Sequence, residues 1–189
     1  WERPANYIES GQEWERPVHL EYFDVNGSLG FALDANARIH GAATRERAQK
    51  SLRLYTVCES TCTETIDYDI FPGLTSQVTG EPIQAFKTIL LRNSGNDWEK
   101  TMFRDALLQR LVDHTKLDTQ AYRPAIVFLN GEYWGIHNLR ERLDEYYLET
   151  HYGIAPDQVT ILAEDDLIIT GEPGDEQDYL DMLAFAASH

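Results

Sequence analysis

The dipeptide Asn130-Gly131 lies between two apolar runs, Ala125 to Leu129 and Tyr133 to Leu139, and constrains this chain more than any other feature. A two-residue link of this kind closes a hairpin through a type I′ turn. Both central residues of that turn need positive φ, which Asn and Gly tolerate best. Antiparallel pairing is therefore expected within Arg123–Tyr147. After Leu139 the texture changes to Arg140-Glu141-Arg142-Leu143-Asp144, then to a helix-like Glu145-Tyr146-Tyr147-Leu148. A buried hairpin thus delivers a charged cluster to the mouth of a helix.

Upstream, Asn26-Gly27 turns the run Val18 to Phe23 back into Leu29 to Ala32. Asn26-Gly27-Ser28 is also a glycosylation sequon, but the turn accounts for it. Ala37 to Arg45 comes next, and then the alternating piece Gln49 to Tyr55. The segment from Cys58 to Pro82, rich in Thr, Ser, Gly and Pro, reads as a long excursion with a short strand near Tyr68 to Phe71. Phe86 to Leu91 is a third β-type run, ending at the polar turn Arg92 to Asp97. Asn96 with Glu99 has the form of a capping box and predicts a helix to about His114. Its rows Trp98/Met102/Ala106 and Phe103/Leu107/Leu111 predict burial on more than one side, and Arg104 among them calls for Asp97 or Asp105 as partner. Gly153 suits a helix C-cap with Pro156 beyond it. Short strands are expected at Val159–Leu162 and Leu167–Ile169, and an amphipathic helix at Asp175–Ala187. Antiparallel β-hairpins with a few helices make the fold class α+β. Trp-Glu-Arg-Pro occurs at 1–4 and 14–17, with no period that would make a repeat architecture.

Charge narrows the function. The formal net charge of -16 over 189 residues argues against a chain that coats nucleic acid or an anionic membrane. No stretch approaches the roughly 18 apolar residues of a spanning helix. A phosphate-binding role must use a local basic patch, and one exists. Arg38, Arg45, Arg47, Lys50 and Arg53 face a single acid, Glu46, in that interval. A turn containing Gly41, flanked by guanidinium forks and followed by a strand lysine, is a phosphate cradle in outline. The plain alternative is a solvated strand face. Glu141 between Arg140 and Arg142 can orient a basic partner or accept from a ligand's amine; a surface ion-pair network is the alternative there.

Other chemistries lack their patterns. Gly-x4-Gly-Lys-Ser/Thr, Gly-x-Gly-x-x-Gly, His-Glu-x-x-His and Gly-x-Ser-x-Gly are absent from the sequence. Glu164-Asp165-Asp166 reads as a solvated turn, since three consecutive acids do not share a strand face. Cys58 and Cys62 are spaced for a small disulfide loop, but two cysteines do not set a redox compartment. With Trp1 at its start and no signal-peptide pattern, the chain reads as a processed or excised piece.

Three segments resemble one family. Arg38-Ile-His-Gly41, followed by Thr44-Arg45 and Gln49-Lys50-Ser-Leu-Arg-Leu, is similar to the first signature of the spore-coat protein H (CotH) kinase-like family. Leu91-Arg-Asn-Ser-Gly-Asn-Asp97 with Met102-Phe-Arg-Asp105 resembles its second. Asn130-Gly-Glu-Tyr-Trp-Gly135, closed by Glu141-Arg-Leu-Asp144, resembles its third. The resemblance implies the N-terminal part of an atypical protein-kinase-like fold that uses ATP and a divalent metal such as Mg. It also implies phosphorylation of Ser or Thr in secreted or coat proteins, at the cell or spore surface.

By that likeness the Gly41 turn covers the nucleotide, Lys50 binds phosphate, Arg38 and Arg45 lie near the phosphates, and Glu141 approaches the hinge. The family's catalytic and metal-binding aspartates lie downstream of the hairpin, and nothing after Asp144 fits them. Residues 1–189 are therefore expected to form a single incomplete domain that supplies nucleotide-binding groups but neither catalytic base nor metal ligands. The rival expectation is a catalytically inactive surface or coat interaction module on the same scaffold.

Overall fold

A computed structural model describes residues 5–56, 65–163 and 167–188. It divides into two compact units, Trp1–Leu74 with Gln84–Arg142, and Thr75–Ile83 with Leu143–His189. In chain order the first unit carries β1 (Arg16–Phe23), β2 (Leu29–His40), β3 (Ser51–Tyr55), β4 (Ile66–Asp67), β5 (Ala85–Phe86), β6 (Thr88–Arg92), helix α1 (Arg104–Val112), β7 (Tyr122–Leu129) and β8 (Glu132–Arg140). Six of these strands form one sheet in the order β1-β2-β3-β6-β8-β7, antiparallel at every pairing. The fold is α+β.

Both Asn-Gly turns close hairpins. Leu129 pairs with Glu132 across Asn130 (φ 52°) and Gly131 (φ 82°), the two positive φ values that a type I′ turn demands. β2 is one strand of twelve residues rather than two pieces, because it pairs with β1 along its first part and with β3 through Asn36–His40. The core runs along the central strands through Ala35, Ala37, Leu54, Ile89, Leu90 and Leu139, with Ile66, Ile70, Phe71 and Phe86 packed at the β4–β5 pair. The short strand expected at Tyr68–Phe71 lies at Ile66–Asp67, and the Tyr68 N–H still bonds the Gln84 carbonyl.

α1 corrects the expected helix from Asn96 to His114. Residues Gly95–Asp97 form a 3-10 turn, and Glu99 and Met102 take positive φ (67° and 62°), which breaks any continuous helix there. The Asp97 carboxylate instead accepts from the Arg104 N–H at 3.1 Å, and Arg104 Nη2 returns to it at 3.2 Å. The expectation of burial on two sides also fails. Ala106 is buried, whereas Leu107, Leu108 and Leu111 are about half exposed.

The second unit carries α2 (Glu145–Tyr152), β9 (Ile161–Ala163), β10 (Leu167–Thr170) and α3 (Gln177–Ser188). Asp144 caps α2, its Oδ1 accepting from the Tyr146 and Tyr147 N–H groups at 3.1 Å each, and Gly153 ends it in the left-handed conformation. The His151 ring stacks on Tyr147 with centroids 3.9 Å apart, and its carbonyl accepts from Gln77 N–H and Ser76 Oγ. β9 and β10 pair antiparallel. No helix among the described residues is long and apolar enough to cross a membrane. Cys58, Cys62 and Glu164–Asp166 lie outside the described residues.

Candidate functional site

Two chain reversals meet beside the ends of β2, β3 and β6. The first leaves β2 at His40 and passes Gly41 into a 3-10 turn at Ala43–Glu46. Gly41 has φ of 109°, and a Cβ there would lie 2.4 Å from Thr44 Oγ1, so this position requires glycine. Arg45 Nε donates to the Gly41 carbonyl and draws the reversal closed. The second leaves β6 at Arg92 and turns through Ser94 and Gly95, both at positive φ. A Cβ on Gly95 would stand 3.2 Å from Arg92 Nη2 and 3.8 Å from Thr44 Cγ2, which places the two reversals side by side.

A buried polar network fixes them. Asn93, fully buried, accepts at Oδ1 from Ser51 Oγ (2.8 Å) and Gly95 N–H (3.0 Å), and donates from Nδ2 to the Gln49 carbonyl (2.6 Å). The Gln49 side chain donates to the Ile136 carbonyl at 2.8 Å, lies 3.0 Å from His137 Nδ1 and accepts from Trp98 Nε1 at 3.1 Å. His137 Nε2 stands 2.9 Å from the Lys50 carbonyl. A neutral ring with its proton on Nε2 satisfies both contacts, and burial holds the His137 pKa below the ordinary histidine range. The backbone around Lys50 is therefore pinned on both sides.

The basic groups gather over this frame. Lys50, immediately before β3, donates from Nζ to the Arg45 and Arg47 carbonyls at 2.7 and 2.6 Å and sits 3.8 Å above the Tyr7 ring. Arg45 Nη1 reaches the Glu9 carbonyl at 2.6 Å and the Tyr7 carbonyl at 3.5 Å. Arg38 lies over the Tyr55 ring at 4.8 Å with Glu15 Oε1 3.5 Å away. At the centre, the His40 pKa is pushed down to about 4, first by burial and then by the charges of Arg142, Arg92, Arg45 and Arg38. In a chain of net charge -16, four guanidinium groups thus bear on one imidazole. The arrangement suits a compact polyanion, with guanidinium forks for its oxygens.

That depression has a measurable sign. The unfolded chain takes up a proton on His40 near pH 6.5, whereas the folded chain resists until about pH 4. Stability is therefore full above pH 6.5 and declines as pH falls toward 4, with His137 contributing in the same direction. Lowering pH from 8 to 5 is expected to cost about 2 kcal/mol through His40. A His40→Gln chain, followed by urea unfolding at both pH values, should lose most of that difference; an unchanged pH slope contradicts the assignment.

The structure brings Gly41, Arg45 and Lys50 into one contact set, and the charge of Arg38 reaches Arg45. Glu141 is buried, its Oε2 accepts from the Ala121 N–H at 2.9 Å and its carbonyl from Gln120 Nε2 at 2.7 Å. Its neighbour Arg142 is the residue whose charge reaches His40. Sequence reasoning missed Arg92, which sits at the end of an apolar strand, and the segment 5–15, whose Tyr7, Glu9 and Glu15 carry no periodic signal. Among the described residues no three His, Cys, Asp or Glu side chains gather as a metal site.

A family model described as CotH kinase protein matches residues 37–187, most of the chain. No curated protein matches the sequence.

Proposed function

The chain belongs to the CotH kinase protein family, a kinase-like group, and from that premise we propose that its basic island holds the phosphates of ATP. In this reading the protein serves as the nucleotide-binding part of an atypical kinase that phosphorylates Ser or Thr of secreted or coat proteins at the cell or spore surface. ATP, when bound, supplies the phosphoryl group. The observation that carries the reading is the closed contact of Lys50, Arg45 and the Gly41 turn, with Lys50 Nζ donating to the Arg45 carbonyl and Arg45 Nε to the Gly41 carbonyl, while the charges of Arg38, Arg92 and Arg142 bear on the adjacent His40.

Each chain residue then has a physical task. Arg45 and Arg92 offer guanidinium N–H donors to phosphate oxygens, Arg92 through Nε and Nη2 while its Nη1 stays on Asp105, and Lys50 adds a compact charge on a backbone that Gln49 and His137 hold still. Gly41 lets its turn approach without a side chain in the way. Neutral His40 offers ring N–H donation without adding another cation to the cluster. The divalent metal that accompanies ATP in the family has no three-ligand site among the described residues.

Calorimetric titration of ATP with Mg²⁺ tests the reading. Lys50→Ala is expected to weaken binding roughly tenfold, the scale of one charge-assisted contact. Equal affinity in the two chains removes Lys50 from the site. No binding by the unaltered chain favours the interaction-module alternative.

A further inference from the structure

The segment 5–15 lies outside the residues that the family model matches, yet it touches three of the basic island's cations. It runs through two 3-10 turns, Asn6–Ile8 and Gln12–Trp14, and enters β1 at Arg16. The Tyr7 and Glu9 carbonyls accept from Arg45 Nη1 at 3.5 and 2.6 Å. The Tyr7 ring covers the Lys50 ammonium at 3.8 Å, and Glu15 approaches Arg38 at 3.5 Å. Three cations that the resemblance places near phosphate are thus all engaged by one short stretch of chain.

The chemistry of those contacts is that of a stand-in. Peptide carbonyls and a carboxylate present oxygen acceptors to guanidinium groups, as phosphate oxygens would, and an aromatic face accepts an ammonium. Arg45 cannot keep Nη1 on the Glu9 and Tyr7 carbonyls and also turn it to an incoming polyphosphate, and the Tyr7 ring covers the Lys50 ammonium, whose own hydrogen bonds go to the Arg45 and Arg47 carbonyls. We infer that residues 5–15 form an autoinhibitory strap, an intramolecular competitor that must leave the island before ATP phosphates can enter. The inference rests on the island being the phosphate site. Displacement needs no covalent change, only exchange of one set of acceptors for another. A strap closed in about nine of ten molecules lowers apparent ATP affinity roughly tenfold, because only the open fraction binds.

The test uses the full chain with Tyr7→Ala and Glu15→Gln combined, neither residue being part of the proposed phosphate machinery. Loosening the strap is expected to tighten ATP–Mg²⁺ binding about fivefold by calorimetry, with the far-UV spectrum and unfolding midpoint retained. A second measurement needs no variant: in the unaltered chain, saturating ATP–Mg²⁺ should speed amide hydrogen exchange across residues 5–15. Equal or weaker affinity in the folded double variant overturns the strap and leaves the nucleotide reading standing. Should the double variant misfold, unchanged or slowed exchange in 5–15 on ATP binding overturns it equally. Absence of ATP binding in both chains overturns the nucleotide reading, and the strap falls with it.

Discussion

Replacing Asp105 with alanine is expected to destabilise the chain by about 3 kcal/mol. Arg140 is 1% exposed, and its Nη1 donates to Asp105 Oδ2 at 2.5 Å. Its Nε and Nη2 find no hydrogen-bond partner among the described residues. Arg92 Nη1 reaches the same Asp105 oxygen at 3.0 Å, so one carboxylate on α1 answers two guanidinium groups on the sheet. Burial pulls the Arg140 pKa down while Asp105 pushes it up. Removing the carboxylate takes away the ion-pair partner that Arg140 has among the described residues, at a position paired to both Leu90 and Tyr122. The 39% exposure of Asp105 lets solvent screen part of the loss, which sets the figure below the upper range for a sealed pair. Urea unfolding followed by tryptophan fluorescence measures it. Adding Arg140→Met to Asp105→Ala should recover much of the stability, since an apolar side chain no longer asks for an anion. A single-variant loss below about 1 kcal/mol, or no recovery in the double variant, contradicts this account.

The second large effect is at Asn93. Alanine there removes the acceptor of Ser51 Oγ and of the Gly95 N–H and the donor to the Gln49 carbonyl, all within a fully buried setting. Stranding such groups costs about 1–3 kcal/mol each before relaxation, and a net loss of about 3 kcal/mol is expected. Asn93→Asp is the sharper experiment. Its shape is nearly unchanged, but an oxygen replaces the N–H₂ group that faces the Gln49 carbonyl at 2.6 Å. Two acceptors then oppose each other, so the near-isosteric change should cost at least as much as alanine. Midpoints from chemical unfolding compare the three chains; an aspartate variant as stable as the parent contradicts the donor assignment.

What the sequence carries depends on how local the physics is. The Asn26-Gly27 and Asn130-Gly131 hairpins and the Gly153 cap are legible because a dipeptide or one glycine sets the backbone there. The helix boundary near Asn96 is misread because Asp97 wins the competition for the helix start. Its carboxylate serves the Thr101 hydroxyl and the Arg104 N–H, and the intervening chain adopts positive φ instead of a capping box. Of the site, Arg38, Gly41, Arg45 and Lys50 are legible as a basic island within one stretch of sequence. Arg92 and the covering role of Tyr7, Glu9 and Glu15 are not, because they meet the island only through tertiary packing. The half-exposed leucines of α1 show the same limit from the other side, since an apolar row tells which face prefers shelter and not whether shelter is present.

The tie between Gln49 and the β8 residues Ile136 and His137 spans 87 and 88 positions of sequence. Contacts of that separation incur loop-closure entropy before they return any stabilisation, and chains rich in them fold slowly. The two local hairpins can form early, but Lys50 acquires its rigid seat only when β8 docks against β6, more than eighty residues later along the chain. A molecule emerging during synthesis therefore displays its arginine-rich reversal long before that reversal acquires its final support. The proposed nucleotide site would then be a property of the finished sheet, with the folding rate setting the delay between making the chain and completing that site.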